Sequence, residues 1–82
     1  MKTAYVLISW YLGVEAEIID EIKQLEDVKE VLGIFGAYDI LVKVESDQIS
    51  TLKDVITWKI RKLNKVRSTV TLMVIEELEQ RE

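Results

Sequence analysis

The sequence predicts an α+β fold with the element order βαββαβ. Two observations carry this: the hydrophobic period alternates between strand-like and helix-like stretches, and the apolar pattern of the first half returns in the second. Shifting the chain by 38 positions lays Ile18, Ile22, Leu25 and Val28 over Ile56, Ile60, Leu63 and Val66. Two βαβ halves are implied. Right-handed crossovers fold such a repeat into a four-stranded antiparallel sheet of order 4-1-3-2 with both helices on one face, the ferredoxin-like arrangement.

Thr3 to Trp10 is rich in β-branched and aromatic residues and reads as the first strand. Gly13 marks the joint to a helix over Val14 to Glu26, in which Val14, Ile18, Ile22 and Leu25 recur at helical spacing. Glu15 and Glu17 suit the positive end of that helix dipole. Val28 to Phe35 and Tyr38 to Val44 are two more strands, with Gly36-Ala37 short enough for a hairpin turn. Ser46 or Asp47 is placed to cap a second helix whose apolar face is Ile49, Leu52, Val55, Ile56, Ile60 and Leu63. Arg67 to Glu76 is the last strand, and the charged tail Glu77 to Glu82 is expected to fray.

Composition narrows the function. Eighty-two residues make one small domain, spanning 1–82. With no cysteine and no histidine, the chain has no donors for disulfides, zinc fingers, haem ligation, cysteine nucleophiles or a Ser-His-Asp triad. No carboxylate cluster stands at metal-binding spacing, so neither a metal nor a cofactor is expected, and the chain reads as a non-enzyme. The longest mostly apolar run, Ala4 to Gly13, is about half of the ~20 residues a membrane-spanning helix needs. With no signal-peptide pattern either, the expected location is the cytoplasm. The net charge of −4 argues against direct contact with nucleic acid.

Two helices cover one side of the sheet, so the other side of a monomer should be polar. Taking Val6, Ile8, Val31, Ile40, Val42, Val44, Val70, Leu72 and Val74 as facing the helices leaves Tyr5, Leu7, Leu32, Ile34, Leu41, Met73 and Ile75 on the open face. A patch of that extent marks an interaction surface, and a homo-oligomer is expected. A bulge that slips the parity and returns some of these side chains to the core is the plain alternative.

Gly33 to Asp39, which ends in Gly36, Ala37, Tyr38 and Asp39, is the most informative segment. Its plain reading is a turn with a positive φ at Gly36 and an aspartate that bonds nearby backbone amides. Its functional reading is a set of backbone donors and one carboxylate facing a small zwitterionic ligand. Thr69 and Thr71 are a second candidate pair, expected on the face away from the helices beside Met73; strand propensity alone also explains them. Asp39 and Thr69 open strands three and four. Taken as antiparallel, these strands put the two residues at opposite ends of the sheet, ~20 Å apart, so a pocket using both would lie between protomers. Lys53, Lys59, Arg61, Lys62, Lys65 and Arg67 hold six of the eleven positive charges, which a solvated helix face explains. Trp58 falls off the apolar stripe of the second helix. Trp10 and Tyr11 stand where they would either wall a pocket or pack.

With these residues assembled, the chain resembles the ligand-binding module of the Lrp/AsnC, or feast/famine, transcription regulators, called RAM. The resemblance runs from Thr3 to about Glu76. It rests on the strand Ala4 to Ile8, Gly13 and Glu15 opening the first helix, the LEDVKEV stretch, Gly36-x-Tyr38-Asp39, and Thr69-x-Thr71. It implies a homodimer packed sheet against sheet, assembling into octameric or decameric rings. It also implies a free amino acid held by Gly36, Ala37, Tyr38 and Asp39 of one subunit and Thr69 and Thr71 of a neighbour. Prolines that the family often carries before helix one and strand two are replaced by Leu12 and Asp27. Full regulators of the family begin with a helix-turn-helix domain that this sequence does not carry, so the implied role is an effector module of amino-acid metabolism with a full-length regulator as a further partner.

Other readings share the element order. An ACT-like amino-acid sensor has a similar fold with a different site. A purely structural oligomerisation module would use the turn and the threonines only for folding. An RRM-like RNA binder would want stacking aromatics on strand three, where Ile40 to Val44 has none.

Overall fold

The computed structural model describes residues 1–11, 13, 15–63 and 66–75. Val14 of the first helix, Leu12, Lys65 of the basic cluster, Glu76 at the expected end of strand four and the tail Glu77 to Glu82 lie outside the described residues. The order is β1 (Lys2–Trp10), α1 (Glu15–Lys23), β2 (Val28–Gly33), β3 (Ile40–Ser46), α2 (Ile49–Asp54) continued by a π-helical segment (Val55–Ile60), and β4 (Val66–Met73). The strands form one antiparallel sheet in the order β2-β3-β1-β4. The expected ferredoxin-like fold is therefore the observed one.

Alternation on the two central strands builds the core. Ala4, Val6 and Ile8 of β1 and Ile40, Val42 and Val44 of β3 are at most 1% exposed and meet Ile18 and Ile22 of α1 from above. Leu52, Val55, Ile56 and Ile60 close the other half. The second helix is not uniform. Arg61 N–H reaches back five residues to the Ile56 carbonyl at 2.9 Å, and this wider turn keeps Val55, Ile56 and Ile60 buried together. Trp58 is left 61% exposed, with the Lys62 Nζ 4.8 Å from its ring centroid.

The 38-residue repeat is structural. Leu25 N–H donates to Ile22 O and Val28 N–H to Leu25 O, both at 3.1 Å; Leu63 N–H donates to Ile60 O at 3.2 Å and Val66 N–H to Leu63 O at 3.1 Å. The same pair of bonds thus turns each helix into its following strand.

Four expectations are corrected. Gln48, not Ser46 or Asp47, occupies the N-cap of α2, and no side chain caps it; the Ser46 hydroxyl accepts only from the Gln48 amide, at 3.4 Å. Ile49, the first residue of α2, is 50% exposed instead of joining the apolar face, which begins at the buried Leu52. Strands two and three stop at Gly33 and start at Ile40, so the hairpin loop is Ile34 to Asp39, longer than a two-residue turn. Asp39 is drawn onto β1 instead, its amide donating to Ile8 O at 2.8 Å.

The fourth correction concerns β4. Ala4 pairs with Met73, Val6 with Thr71 and Ile8 with Thr69, while Tyr5 pairs with Leu72 and Leu7 with Val70. Directly paired residues share a face, so Thr69, Thr71 and Met73 lie on the helix side, with Met73 packed against the core. Val70 and Leu72 lie on the open side. Val70 and Leu72 alternate with Thr69 and Thr71, so the pattern names one apolar face, but the open side of this sheet is apolar too; pairing with β1 decides which side that face takes. Ile75 lies beyond the strand and Ile34 at the loop, 96% and 37% exposed, while Tyr5, Leu7, Leu32 and Leu41 remain on the open face as expected.

Candidate functional site

The open face is built in register. Leu32 pairs with Leu41, Leu41 with Leu7, and Leu7 with Val70, a straight apolar row across all four strands. The next row runs Glu30, Lys43, Tyr5, Leu72. Leu32 and Leu72 are 45% and 52% exposed. A further contact, Thr3 Oγ1 to Glu45 Oε2 at 3.4 Å, lies two residues along from Tyr5 and Lys43.

The candidate ligand residues gather at one end of the sheet. Because β3 and β4 each run antiparallel to β1, they are parallel to each other, and their starts lie at the same end. Ile8 is the pairing partner of both Ile40 and Thr69. Asp39 and Thr69 of one protomer therefore flank β1 at about two strand spacings, ~10 Å, and the expected separation at opposite ends is overturned. The topology brings them together without a second subunit. Thr71 sits two residues further along β4, exposed.

The loop is closed by Ile34 N–H donating to Asp39 O at 3.0 Å, and Gly36 turns it with a φ of +148°. A Cβ at Gly36 would meet no atom within 4 Å, so the cost of adding one is conformational. Gly36→Ala is expected to lower stability by roughly 1–3 kcal/mol, measured by urea unfolding, with no change in the protein's core packing. The Asp39 carboxylate accepts the Trp10 amide through Oδ2 at 3.0 Å, which holds the loop against the end of β1. Beside it, Ser9 is buried and shares a 2.7 Å hydrogen bond with the Ser68 hydroxyl. Trp10 packs against the core, while Tyr11 and Phe35 are 57% and 107% exposed. The Ser9–Ser68 pair and the Trp10 amide are parts of this end that residue patterns do not reveal; the strand order 4-1-3-2, which makes strands three and four parallel, is the signal that would have found them. Among the described residues no group of histidine, cysteine or carboxylate side chains is set to hold a metal.

The fold recurs in known proteins. The family model for the Lrp/AsnC ligand binding domain matches residues 3–82. The chain belongs to the Lrp/AsnC ligand-binding-domain family. Within it, the solved structure of FFRP-DM1 superposes with a TM-score of 0.87 at 37% identity, over 92% of this chain and 100% of that one. A hypothetical protein of Pyrococcus horikoshii gives 0.85 at 38% identity, over 94% and 93%. A transcriptional regulator of Neisseria meningitidis, solved as an L-Met complex, has the same fold at 11% identity, this chain covering 53% of it with a TM-score of 0.84. A homocitrate synthase of Sulfolobus acidocaldarius is 41% identical over 54 residues, which are 66% of this chain and 11% of that enzyme. No helix among the described residues of this Lrp/AsnC-type domain is long and apolar enough to cross a membrane.

Proposed function

We propose that this domain is an amino-acid-responsive effector module of transcriptional regulation that binds its ligand without turning it over and acts as a homo-oligomer. The observation that carries the reading is the end of the sheet, where the Gly36 to Asp39 loop and Thr69 stand on either side of the exit of β1. The loop offers backbone donors to a carboxylate, and the Asp39 carboxylate suits an ammonium group. An L-Met complex of the same fold in a transcriptional regulator supports this ligand class. Relatedness to a stretch of a homocitrate synthase supports a module that serves more than one kind of host. The Leu32, Leu41, Leu7 and Val70 row is the surface through which two copies pack sheet against sheet, and such dimers assemble further into rings.

The test is thermal unfolding with each of the twenty free amino acids. A ligand at about a hundredfold excess over its Kd stabilises by ~2.7 kcal/mol, which for a domain of this size raises Tm by roughly 10 °C or more. Asp39→Asn keeps an acceptor for the Trp10 amide and removes the charge, so it is expected to fold normally and lose the response. A full response in Asp39→Asn would mean that the aspartate serves the loop alone.

A further inference from the structure

The internal repeat extends to the surface, where it makes two equivalent grooves that differ in charge. One, of about 300 Å³ at the start of β2, is lined by Lys23, Val28, Lys29, Glu30 and Val31. The other, of about 330 Å³ at the start of β4, is lined by Arg61, Val66, Arg67, Ser68 and Thr69. Each residue of the second stands 38 positions after its counterpart in the first.

The backbone corresponds as well as the lining. Val28 pairs with Val44 and Glu30 with Lys43, so Lys29 is left out of the ladder; Trp10 pairs with Val66 and Ser9 with Ser68, so Arg67 is left out in the same way. An unpaired extra residue is a β-bulge, which takes its side chain out of the regular alternation. Each groove is thus equipped with one cation at the end of a helix and one on a bulge.

The contents have diverged. In the first groove Glu30 stands beside the two lysines, and the Lys29 Nζ donates to the Glu26 carbonyl at 3.4 Å. In the second, Ser68 and Thr69 replace Glu30 and Val31, arginines replace both lysines, and no acid is among the described lining residues. Guanidinium groups present planar forks of donors that match oxyanions, and the Thr69 hydroxyl adds a neutral donor beside them. Ser68 pairs with Ser9 on the open side, where the two hydroxyls share their 2.7 Å bond, which fixes the strand next to the bulge. This concentration of donors belongs to a chain whose net charge is −4, so it is not a by-product of a basic composition.

We infer that the groove of Arg61, Arg67 and Thr69 binds the oxyanion group, carboxylate or phosphate, of a small ligand. Its volume suits a small molecule. The inference goes beyond the amino-acid reading, from which it needs neither Asp39 nor the loop, and it adds to Thr69 a recognition element of opposite charge to Asp39.

The test is a titration with inorganic phosphate and with acetate, using acetamide as the uncharged control, at ionic strength held constant with chloride. Backbone amide NMR of the full chain reads the site. Shifts are expected at Val66 to Thr69 with phosphate, with acetate or with both, and the probe that acts identifies the source of the anion. Arg67→Gln is expected to weaken binding about tenfold, Thr69→Val to weaken it less, and Lys29→Gln in the equivalent groove to change it less than about twofold. Both arginines are exposed, and a wild-type Tm in each variant establishes that the fold is intact. The inference fails if neither anion shifts these amides, if acetamide does so equally, or if Lys29→Gln weakens binding as much as Arg67→Gln. A chain that answers neutral amino acids through Asp39 but no anion through Arg67 keeps the effector reading and loses this one; the converse result does the reverse.

Discussion

Ile60→Ala is expected to destabilise the domain by about 2–5 kcal/mol, the range for truncating a fully buried isoleucine. Ile60 is 0% exposed, and it closes the helix-side core where the π-helical segment ends. A domain of this length has a total stability of only about 4–12 kcal/mol, so the variant should lose a large part of its folded population or unfold outright. Ile22 stands 38 positions earlier, is equally buried and has the same helix-to-strand turn after it; Ile22→Ala should cost a similar amount. Ile49→Ala supplies the contrast. Its side chain is 50% exposed, and the change should stay within about 0.5 kcal/mol. Urea unfolding of the three variants checks the ordering, and a loss at Ile49 as large as at Ile60 would contradict the placement of α2.

Leu41→Lys is expected to give the largest change in assembly. Leu41 lies in the middle of the apolar row, paired with Leu7 on one side and Leu32 on the other. Burying such side chains against a second copy is worth ~1.5–3 kcal/mol each, whereas a lysine in their midst leaves a charge without a partner at the centre of the contact. Light scattering should find the wild-type chain at a mass of at least twice its 9.5 kDa and the variant at the single-chain mass, with the fold retained. Met73→Ala tests the face assignment of β4 in the same experiment. Met73 packs against the core, so its truncation should lower stability and leave the mass unchanged. A wild-type chain at the single-chain mass would remove the open face as a self-association surface.

Much of the molecule was legible in the residues themselves. Element order, the helix-side positions of β1 and β3 and the repeat between halves all follow from periodicity, because a side chain's face is set by its position along a strand or helix once the neighbouring layer is known. Gly36 was legible as the turn residue, since its positive φ is a local demand, whereas the amide that Asp39 bonds belongs to Trp10, distant in the chain.

What pattern did not settle depended on pairing. Pattern points the wrong face of β4 at the helices, since Val70, Leu72 and Val74 look more core-like than Thr69 and Thr71, and only the register with Tyr5 and Leu7 places Val70 and Leu72 on the open side. The relation of Asp39 to Thr69 follows from β1 lying between them and running against both, which the predicted order 4-1-3-2 already implies; taking strands three and four as antiparallel missed it. The sequence by itself determined the βαββαβ order, the two-layer core and the family to which the motifs point. The tertiary structure alone decided which residues meet: Asp39 with the Trp10 amide, Ser9 with Ser68, and Arg61 with Arg67 and Thr69 around one groove beside a bulge. The physical reason is that periodicity records how much each side chain is buried, whereas a site is made by hydrogen-bonded register between strands distant in the chain, and one residue of slip at Arg67 is enough to change what faces what.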